Sequence, residues 1–429
     1  MYFISICMGI LQFFIMSYVL FTEVNKTSPA AFLWGTLMIM FGLPHLVTSI
    51  FEDMPYPDYI ISEASLFVVL FCVFYILVRS QKHCEFIGLQ DRDKLVLYPD
   101  EMIGSYFELV CFFCFLFSII NVIVFGTESQ GGLLNTSWAG GREAEIGYIS
   151  FLGVEERVVF AFSGLSLYFY LLKKKIKVGV VLLLFLFLVI VTRNRVEILP
   201  VLIFFTTIFL IKIKKIKLKH IIMAALIAAS VIYIVYGIRA LRYLGTLENI
   251  IDGFSWSYLN DMIKTFIVSQ NGELGLRQFF YFFISEDNKF EGFNQGYTYI
   301  RMLLVFLPSR WSFGIKPESF DLYMGNAVGM AAGGSMHPTL FGDCFGNLYW
   351  FGVLLGGFWA FFANRVDSLI TSQKNKFFKI MIFFLAAYTF VVSGRGSVYN
   401  GFEKLAWGVV ILFLFKIVWE NFCKKTSET

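Results

Sequence analysis

The sequence predicts an all-α polytopic integral membrane protein with about 11 transmembrane helices, in a range of roughly 10 to 12. Two observations predict this class. First, 58% of the 429 residues are hydrophobic and only 15% are charged, whereas soluble domains are about half apolar and about a quarter charged. Second, apolar runs of roughly 18 residues or more recur along the chain, and that length is typical of a membrane-spanning helix.

The apolar runs give the order and bounds of the predicted spans. We expect spans at Tyr2–Phe21, Ala30–Ile50, Ile60–Val78, Gly104–Phe125, Gly153–Leu172, Val178–Val191, Val196–Ile211, Ile221–Gly237, Thr339–Ala363, Phe377–Val392 and Val398–Trp419. The N-terminus lacks the basic start of a signal peptide, so the first run is expected to stay as a span. The chain then divides into residues 1–238 with eight spans, a segment 239–338, and residues 339–429 with three spans and a tail, as one membrane domain overall.

Lysine-rich connectors predict the orientation. If the spans alternate, these connectors and the C-terminal tail all fall on one side, which the positive-inside rule makes cytoplasmic. The N-terminus, the segment 239–338 and the hairpin tips at 192–195 and 393–397 then face outward. The net charge of +4 is too small to indicate a nucleic-acid partner.

The outward segment uses arginine more than lysine. Its candidate substrate-binding residues are Arg239, Arg242 and Arg310. The planar arginine fork binds phosphate oxygens in pairs and keeps its charge when it is partly buried. The alternative is that these arginines form ordinary ion pairs, because the segment also contains many acids.

The two hairpin tips place arginines at membrane depth. Arg193 and Arg195 precede Glu197 at one tip, and Arg395 lies at the other. The neighbouring spans are short, so we expect both tips to lie below the outer surface. Charges at that depth usually face a cavity and serve a function. The alternative is a buried ion pair such as Arg195 with Glu197.

Three apolar stretches in the outward segment are too short or too amphipathic to span. Phe254–Val268 is expected to lie along the interface. Leu276–Ile284 and Tyr297–Leu307 each contain an arginine, Arg277 and Arg301 respectively. They are either re-entrant pieces that roof a cavity or the core of a small outer cap, and the sequence leaves both readings open.

His337 is the histidine predicted to lie on the outer face, just before the ninth span, and Asp343 follows six residues later. A histidine there titrates near neutral pH and can act as an acid or a base. The alternative is a histidine bonded to a backbone carbonyl. The scattered histidines and cysteines, including Cys111-x-x-Cys114, give no metal-site pattern, so neither a metal nor another cofactor is expected.

The layout resembles that of bacterial O-antigen polymerases of the Wzy type and of their O-antigen ligase relatives. The resemblance covers many spans, a long outward segment late in the chain, and the residues Arg193–Glu197, Arg395, His337-x-x-Leu340, Gly342-Asp343, Asn347-Leu348-Tyr349 and Phe351-Gly352. It implies a metal-independent glycosyltransferase in the bacterial inner membrane, with its active site facing the periplasm.

The resemblance also implies the substrate and partners. The enzyme would polymerise oligosaccharide repeats, of O-antigen or capsule, linked to undecaprenyl pyrophosphate, alongside membrane lipid, a chain-length regulator and a flippase. Arginines would stabilise the pyrophosphate leaving group, and His337, Asp343 or Glu197 would be the base. Two alternatives remain: a ligase that transfers glycan to lipid A core, and a flippase for lipid-linked oligosaccharide. A flippase is expected to show two similar halves, and the sequence contains no internal repeat.

Overall fold

The structure is a computed structural model. It describes residues 2–50, 56–80, 100–126, 154–192, 199–212, 276–289, 295–307, 312–318, 320, 323, 337–396 and 398–428. These residues are 86% helical and include no strand, which confirms the all-α class for them. Five helical segments among them are long and apolar enough to cross a membrane, as expected of a membrane-embedded multi-pass protein.

Most of the described helices overlap the predicted spans, but the predicted span Thr339–Ala363 is divided and the last helix extends beyond Trp419. In chain order they are α1 (Tyr2–Asn25), α2 (Ala30–Leu37), α3 (Leu43–Ile50), α4 (Asp58–Val78), α5 (Asp100–Gly126), α6 (Val154–Leu171), α7 (Lys175–Thr192), α8 (Leu199–Lys212), α9 (Arg277–Ser285), α10 (Tyr297–Leu303), α11 (Thr339–Leu348), α12 (Leu355–Ser372), α13 (Lys376–Arg395) and α14 (Val398–Glu428). A π-helical turn joins α2 to α3, and a 3₁₀ helix joins α11 to α12. The predicted elements Ile221–Gly237 and Phe254–Val268 lie outside the described residues.

The chain forms two compact units. One consists of Met1–Gly88 and Gln270–Thr429, and the other consists of Leu89–Ser269. In the second unit α6 packs against α5, α7 and α8, and Lys177 forms an ion pair with Glu108. All the features described below belong to the first unit.

The helix α11 runs in the opposite direction to α4. Phe341 contacts Phe71 and Phe345 contacts Phe67, with ring centroids 5.3 Å apart in both pairs. Phe67 comes one turn before Phe71 in α4, so the order along α11 is the reverse of the order along α4. The helix therefore starts beside the interior of α4 and runs toward the end of α4 that contains Asp58.

The helix α12 then runs back parallel to α4. A Cβ on Gly356 would lie 3.0 Å from the carbonyl carbon of Phe71. Further along α12, the Asn364 side chain donates to the carbonyl of Val78 at 3.0 Å. The segment predicted as one span from Thr339 therefore reverses its direction, and only α12 continues along the length of α4.

The reversal takes place in the 3₁₀ helix Tyr349–Leu354 and depends on local backbone chemistry. Tyr349 has a φ of 51°, a conformation that strains a bulky residue. A Cβ on Gly352 would lie 2.7 Å from the carbonyl carbon of Cys344, although a straight helix would separate these residues by about 12 Å. Asn288 donates to the carbonyls of Phe345 and Gly346 at 2.7 and 3.3 Å, which adds side-chain hydrogen bonds to the last turn of α11.

Four helices meet at a buried cluster of charged side chains at the C-terminal end of α4. The Arg79 guanidinium contacts Glu23 at 2.6 Å and Asp367 at 2.5 Å, and it also bonds to Ser28 and Asn364. Burial disfavours the charge of Arg79, but the hydrogen bond and charge of Glu23 outweigh it, so its pKa is raised. The cluster ties α1, α4 and α12 together with the start of α2.

We expect Arg79→Met to lower the free energy of unfolding by about 3–5 kcal/mol, because Glu23 and Asp367 would stay buried without their cation. The measurement is unfolding of the purified protein in a denaturing detergent series. The matched control is Lys289→Met, because Lys289 pairs with Asp287 on the surface and such pairs contribute at most about 1 kcal/mol. Equal effects of the two variants would contradict a stabilising role for the cluster.

Candidate functional site

The tip between α13 and α14 lies directly against the start of α11. Gly396 has a φ of 112°, and a Cβ there would lie 2.6 Å from the Thr339 nitrogen and 2.9 Å from the Pro338 nitrogen. Only glycine allows the two backbones to approach this closely. As a result, two sequence-predicted regions, His337–Asp343 and the tip at Arg395, meet at one place in the fold.

The tip packs against the continuous rod formed by α2 and α3, at a point nearer to Ala30 than to Ile50. A Cβ on Gly394 would lie 3.2 Å from the Thr36 side chain and 3.3 Å from the Leu33 carbonyl oxygen. Thr36 precedes Ile50 by 14 residues, which corresponds to about 21 Å of helix. The half-buried Arg395 at the end of α13 is therefore far from the end of the rod at Ile50.

Asp343 holds the tip in this position. Its side chain is buried, and its Oδ2 accepts a hydrogen bond of 3.0 Å from the N–H of Val398, the first residue of α14. The Asn347 side chain donates to Asp343 Oδ1 at 3.4 Å. A carboxylate at a helix N-terminus satisfies an unpaired N–H and complements the helix dipole. These contacts give Asp343 a structural task, whether or not it also takes part in chemistry.

His337 and its neighbours occupy a strained, polar junction. His337 is buried, and Thr339 has a φ of 62°, which is unusual for a β-branched residue. Among the described residues, the buried hydroxyls of Thr339 and Ser393 have no hydrogen-bond partner. Backbone strain and unsatisfied buried polar groups concentrate at functional sites. The junction thus contains a histidine, a strained backbone and buried hydroxyls without partners, which together make it a candidate ligand site.

Two further cations adjoin the tip. The Arg301 guanidinium lies 4.4 Å from the centroid of the Tyr399 ring, and Lys316 Nζ lies 5.5 Å from the same centroid. Burial lowers the pKa of Lys316, and the charge of Arg301 lowers it further, whereas Glu403 raises it. Because Tyr399 directly follows Val398, this cation pair flanks the same tip as Arg395.

Of the two cations, only Arg301 could have been singled out from the sequence. Arg301 interrupts an apolar stretch, which is a visible anomaly, but its contact with Tyr399 joins residues almost a hundred positions apart. Lys316 lies in a polar stretch, where a lysine is common, so the sequence does not mark it as a site residue. Neither residue was among the site residues predicted from the sequence.

A buried hydrogen-bond network anchors α9 to α3 and α4. Ser65 donates to the Ile61 carbonyl at 3.0 Å, so its oxygen accepts from His45 Nε2 at 2.7 Å. His45 Nδ1 then accepts from the Tyr281 hydroxyl at 2.5 Å. With α9 anchored in this way, Phe280 packs on Gly342, where a Cβ would lie 3.2 Å from the Phe280 Cβ.

The remaining predicted site residues lie outside the described part of the chain: Arg193, Arg195, Glu197, Arg239, Arg242 and Arg310. The structure thus brings together His337, Asp343 and Arg395 from the predicted set. Within the described ranges, no group of three or more His, Cys, Asp or Glu residues is arranged to hold a metal ion. Comparison with known proteins gives no match to a family model, to a curated protein or to a solved structure.

We expect Asp343→Asn to lower stability less than Asp343→Ala, since the amide oxygen still accepts from the Val398 N–H and only the acceptor of Asn347 is replaced by a donor. Asp343→Ala should lower the free energy of unfolding by about 1–3 kcal/mol, because that N–H becomes a buried donor without an acceptor. The two variants are compared by their unfolding midpoints in one detergent. If they are equally destabilised, the hydrogen bond to Val398 is not what Asp343 contributes.

Proposed function

We propose that this protein is a metal-independent glycosyltransferase of the O-antigen polymerase type. It would join oligosaccharide repeats, of O-antigen or capsule, that are linked to undecaprenyl pyrophosphate. The observation that carries the proposal is the close approach of the tip to the start of α11: Gly396 lies against Pro338 and Thr339, next to His337, and the Arg301–Lys316 pair contacts Tyr399 on the other side of the tip. Such a concentration of cations beside apolar helices suits a lipid-borne anion.

The topology proposed with this function has about 11 spans, with the Arg79 cluster at the cytoplasmic side of the bacterial inner membrane. The tip and the start of α11 would open toward the periplasm. In this topology α11 and α12 together count as one crossing, so the alternation of the spans is unchanged. The lysine-rich connectors then remain on the cytoplasmic side, as the positive-inside rule requires.

The proposed reaction needs two kinds of group. A hydroxyl of the acceptor glycan attacks the anomeric carbon of the donor sugar, and the bond from that carbon to the pyrophosphate oxygen breaks. The pair of electrons leaves with the pyrophosphate, whose charge Arg395 and neighbouring cations would stabilise. His337 would take the proton of the hydroxyl. Asp343 is the weaker candidate base, because Val398 and Asn347 already occupy its carboxylate oxygens.

One observation favours a second candidate. A histidine immediately before a late span is the feature that this chain shares with O-antigen ligases, and His337 lies at the contact between α11 and the tip. A ligase would use the same donor but would transfer the glycan to lipid A core. The cations at the tip suit either reaction, so the acceptor has to be identified by experiment.

Deletion of the gene distinguishes these reactions. For a polymerase we expect single repeats attached to the lipid core, seen as one short band when the surface glycolipid is separated by electrophoresis. Loss of every attached repeat would indicate the ligase instead. Lipid-linked repeats that accumulate on the cytoplasmic face would indicate a flippase and would contradict both transferases.

Replacement of Arg395 tests the site itself. We expect Arg395→Ala to slow polymerisation by about 100- to 1,000-fold, since one preorganised donor to a developing charge has an effect of that size. Arg395→Lys should retain part of the activity, because it keeps the charge but loses the planar fork. The assay follows polymer length with purified protein and lipid-linked repeats.

The control for this assay is Lys289→Ala, which removes an exposed charge in the turn after α9. It should polymerise at the wild-type rate. Membrane levels of all variants are compared, so that loss of polymer is not confused with loss of protein. Polymer of normal length from Arg395→Ala at a normal protein level would refute the proposed site.

A further inference from the structure

The hairpin formed by residues 297–307 and 312–318 has an inverted distribution of polar and apolar side chains. Its polar groups point inward: Thr298 and Ser312 are buried, and Arg301 donates to the carbonyl of Pro317. Lys316 donates to the carbonyl of Leu307 at 2.7 Å, so the two arms of the hairpin are joined through their cations. A segment surrounded by water would normally bury apolar side chains and expose polar ones.

The outward face of this hairpin is apolar. The exposed fractions are 84% for Leu303, 55% for Phe306, 93% for Phe313 and 67% for Ile315. Polar exposed residues lie at its base, at Gln295 and Glu318. A contiguous apolar surface of this kind marks a contact with a membrane, a ligand or another protein.

The contacts of the hairpin with α14 help to decide whether its apolar face meets a membrane, a ligand or another protein. Phe306 packs edge-to-face on Trp407, with ring centroids 5.5 Å apart. Trp407 lies nine residues after Val398, or about 13 Å along α14. The hairpin thus extends along α14 past its first two turns. The helix α14 exposes apolar side chains of its own, at Phe402, Val409, Phe413 and Leu414.

The cations are arranged as cations are at the edge of hydrocarbon. The aliphatic stems of Arg301 and Lys316 lie in the hairpin, while their charged ends turn back to the Tyr399 ring and to backbone carbonyls. Long basic side chains behave in this way when their stems are in an apolar environment and their heads seek a polar one. A cap in water would leave these heads directed outward.

We propose that this hairpin is inserted in the bilayer beside α14 and that its apolar face is covered by lipid acyl chains. The sequence left open whether the segment is a re-entrant piece or the core of an outer cap, and the inverted pattern assigns it to the membrane. Its polar groups are compatible with that place, because Arg301 and Lys316 donate to the backbone carbonyls of Pro317 and Leu307, and Thr298 donates to the Asn347 side chain. The inference does not depend on the proposed reaction.

Spin labels test the occupant of this surface directly. Leu303→Cys and Phe313→Cys are each labelled with a nitroxide, in a background whose seven native cysteines are replaced without a change in unfolding midpoint. The protein is reconstituted in phospholipid vesicles. Relaxation of the nitroxide by oxygen, which concentrates in hydrocarbon, is compared with relaxation by a water-soluble nickel chelate.

Two reference positions calibrate the measurement. Phe413→Cys lies on the exposed apolar face of α14, and Lys289→Cys lies on an exposed polar turn with its side chain 79% accessible. We expect the oxygen-to-nickel ratio at Leu303 and Phe313 to equal that at Phe413 and to exceed that at Lys289 several-fold. A ratio like that of Lys289 would show water at this face and overturn the proposal. Low access to both reagents would show a protein cover, whether a second copy or another chain, and would overturn it as well.

Discussion

The hydrogen bond from the Val398 N–H to the Asp343 carboxylate joins the two parts of the fold on which the candidate site depends. A helix that begins inside a membrane protein must have its first N–H groups satisfied by the protein, because lipid offers no acceptor. Asp343 supplies one acceptor for α14. The carboxylate comes from α11, so the start of one helix is fixed by another helix that itself starts in the interior. Gly396 makes this arrangement possible by removing the side chain that would separate them.

This constraint explains why polar residues gather at the tip. Two helix starts and one helix end, those of α11, α14 and α13, lie within a few residues of each other in space. Each brings backbone groups that need partners. The same region can therefore hold charged side chains such as Arg395 and Arg301 at lower cost than a continuous apolar helix surface could. The polar surroundings that the helix ends require are therefore also the surroundings in which Arg395 and Arg301 could bind an anion.

Much of the helical framework could be predicted from the sequence, because apolar runs of membrane length report directly on spans. The bounds of α4 and α13 differ from the predicted ones by at most three residues. By contrast, the reversal after α11 could not be predicted. Its cause is the close approach of Gly352 to Cys344 and the strained backbone of Tyr349. The 34 residues around them are apolar enough to be taken for one continuous span, so the sequence does not indicate a reversal.

The site was predictable only in its residue types. His337 and Asp343 were chosen for their acid–base chemistry, and the structure places both where α11 meets the tip. The capping role of Asp343 depends on Val398, 55 residues later, and no pattern in the sequence connects them. The inverted hairpin shows the same limit, since the residues that orient Arg301 and Lys316 belong to its own far arm and to α14.

The Arg79 cluster has a consequence for biogenesis. Glu23 and Arg79 are made early, whereas Asp367 follows 288 residues after Arg79, which is roughly 15–60 s of synthesis. During that interval the first helices stay in the bilayer with one acidic partner for Arg79 instead of two. Asp367 can join Glu23 and Arg79 only after all the residues of the second unit, which lie between them in the sequence, have been synthesised. Nascent chains that stall before Asp367 should therefore present an incomplete charge cluster to the quality-control proteases of the membrane.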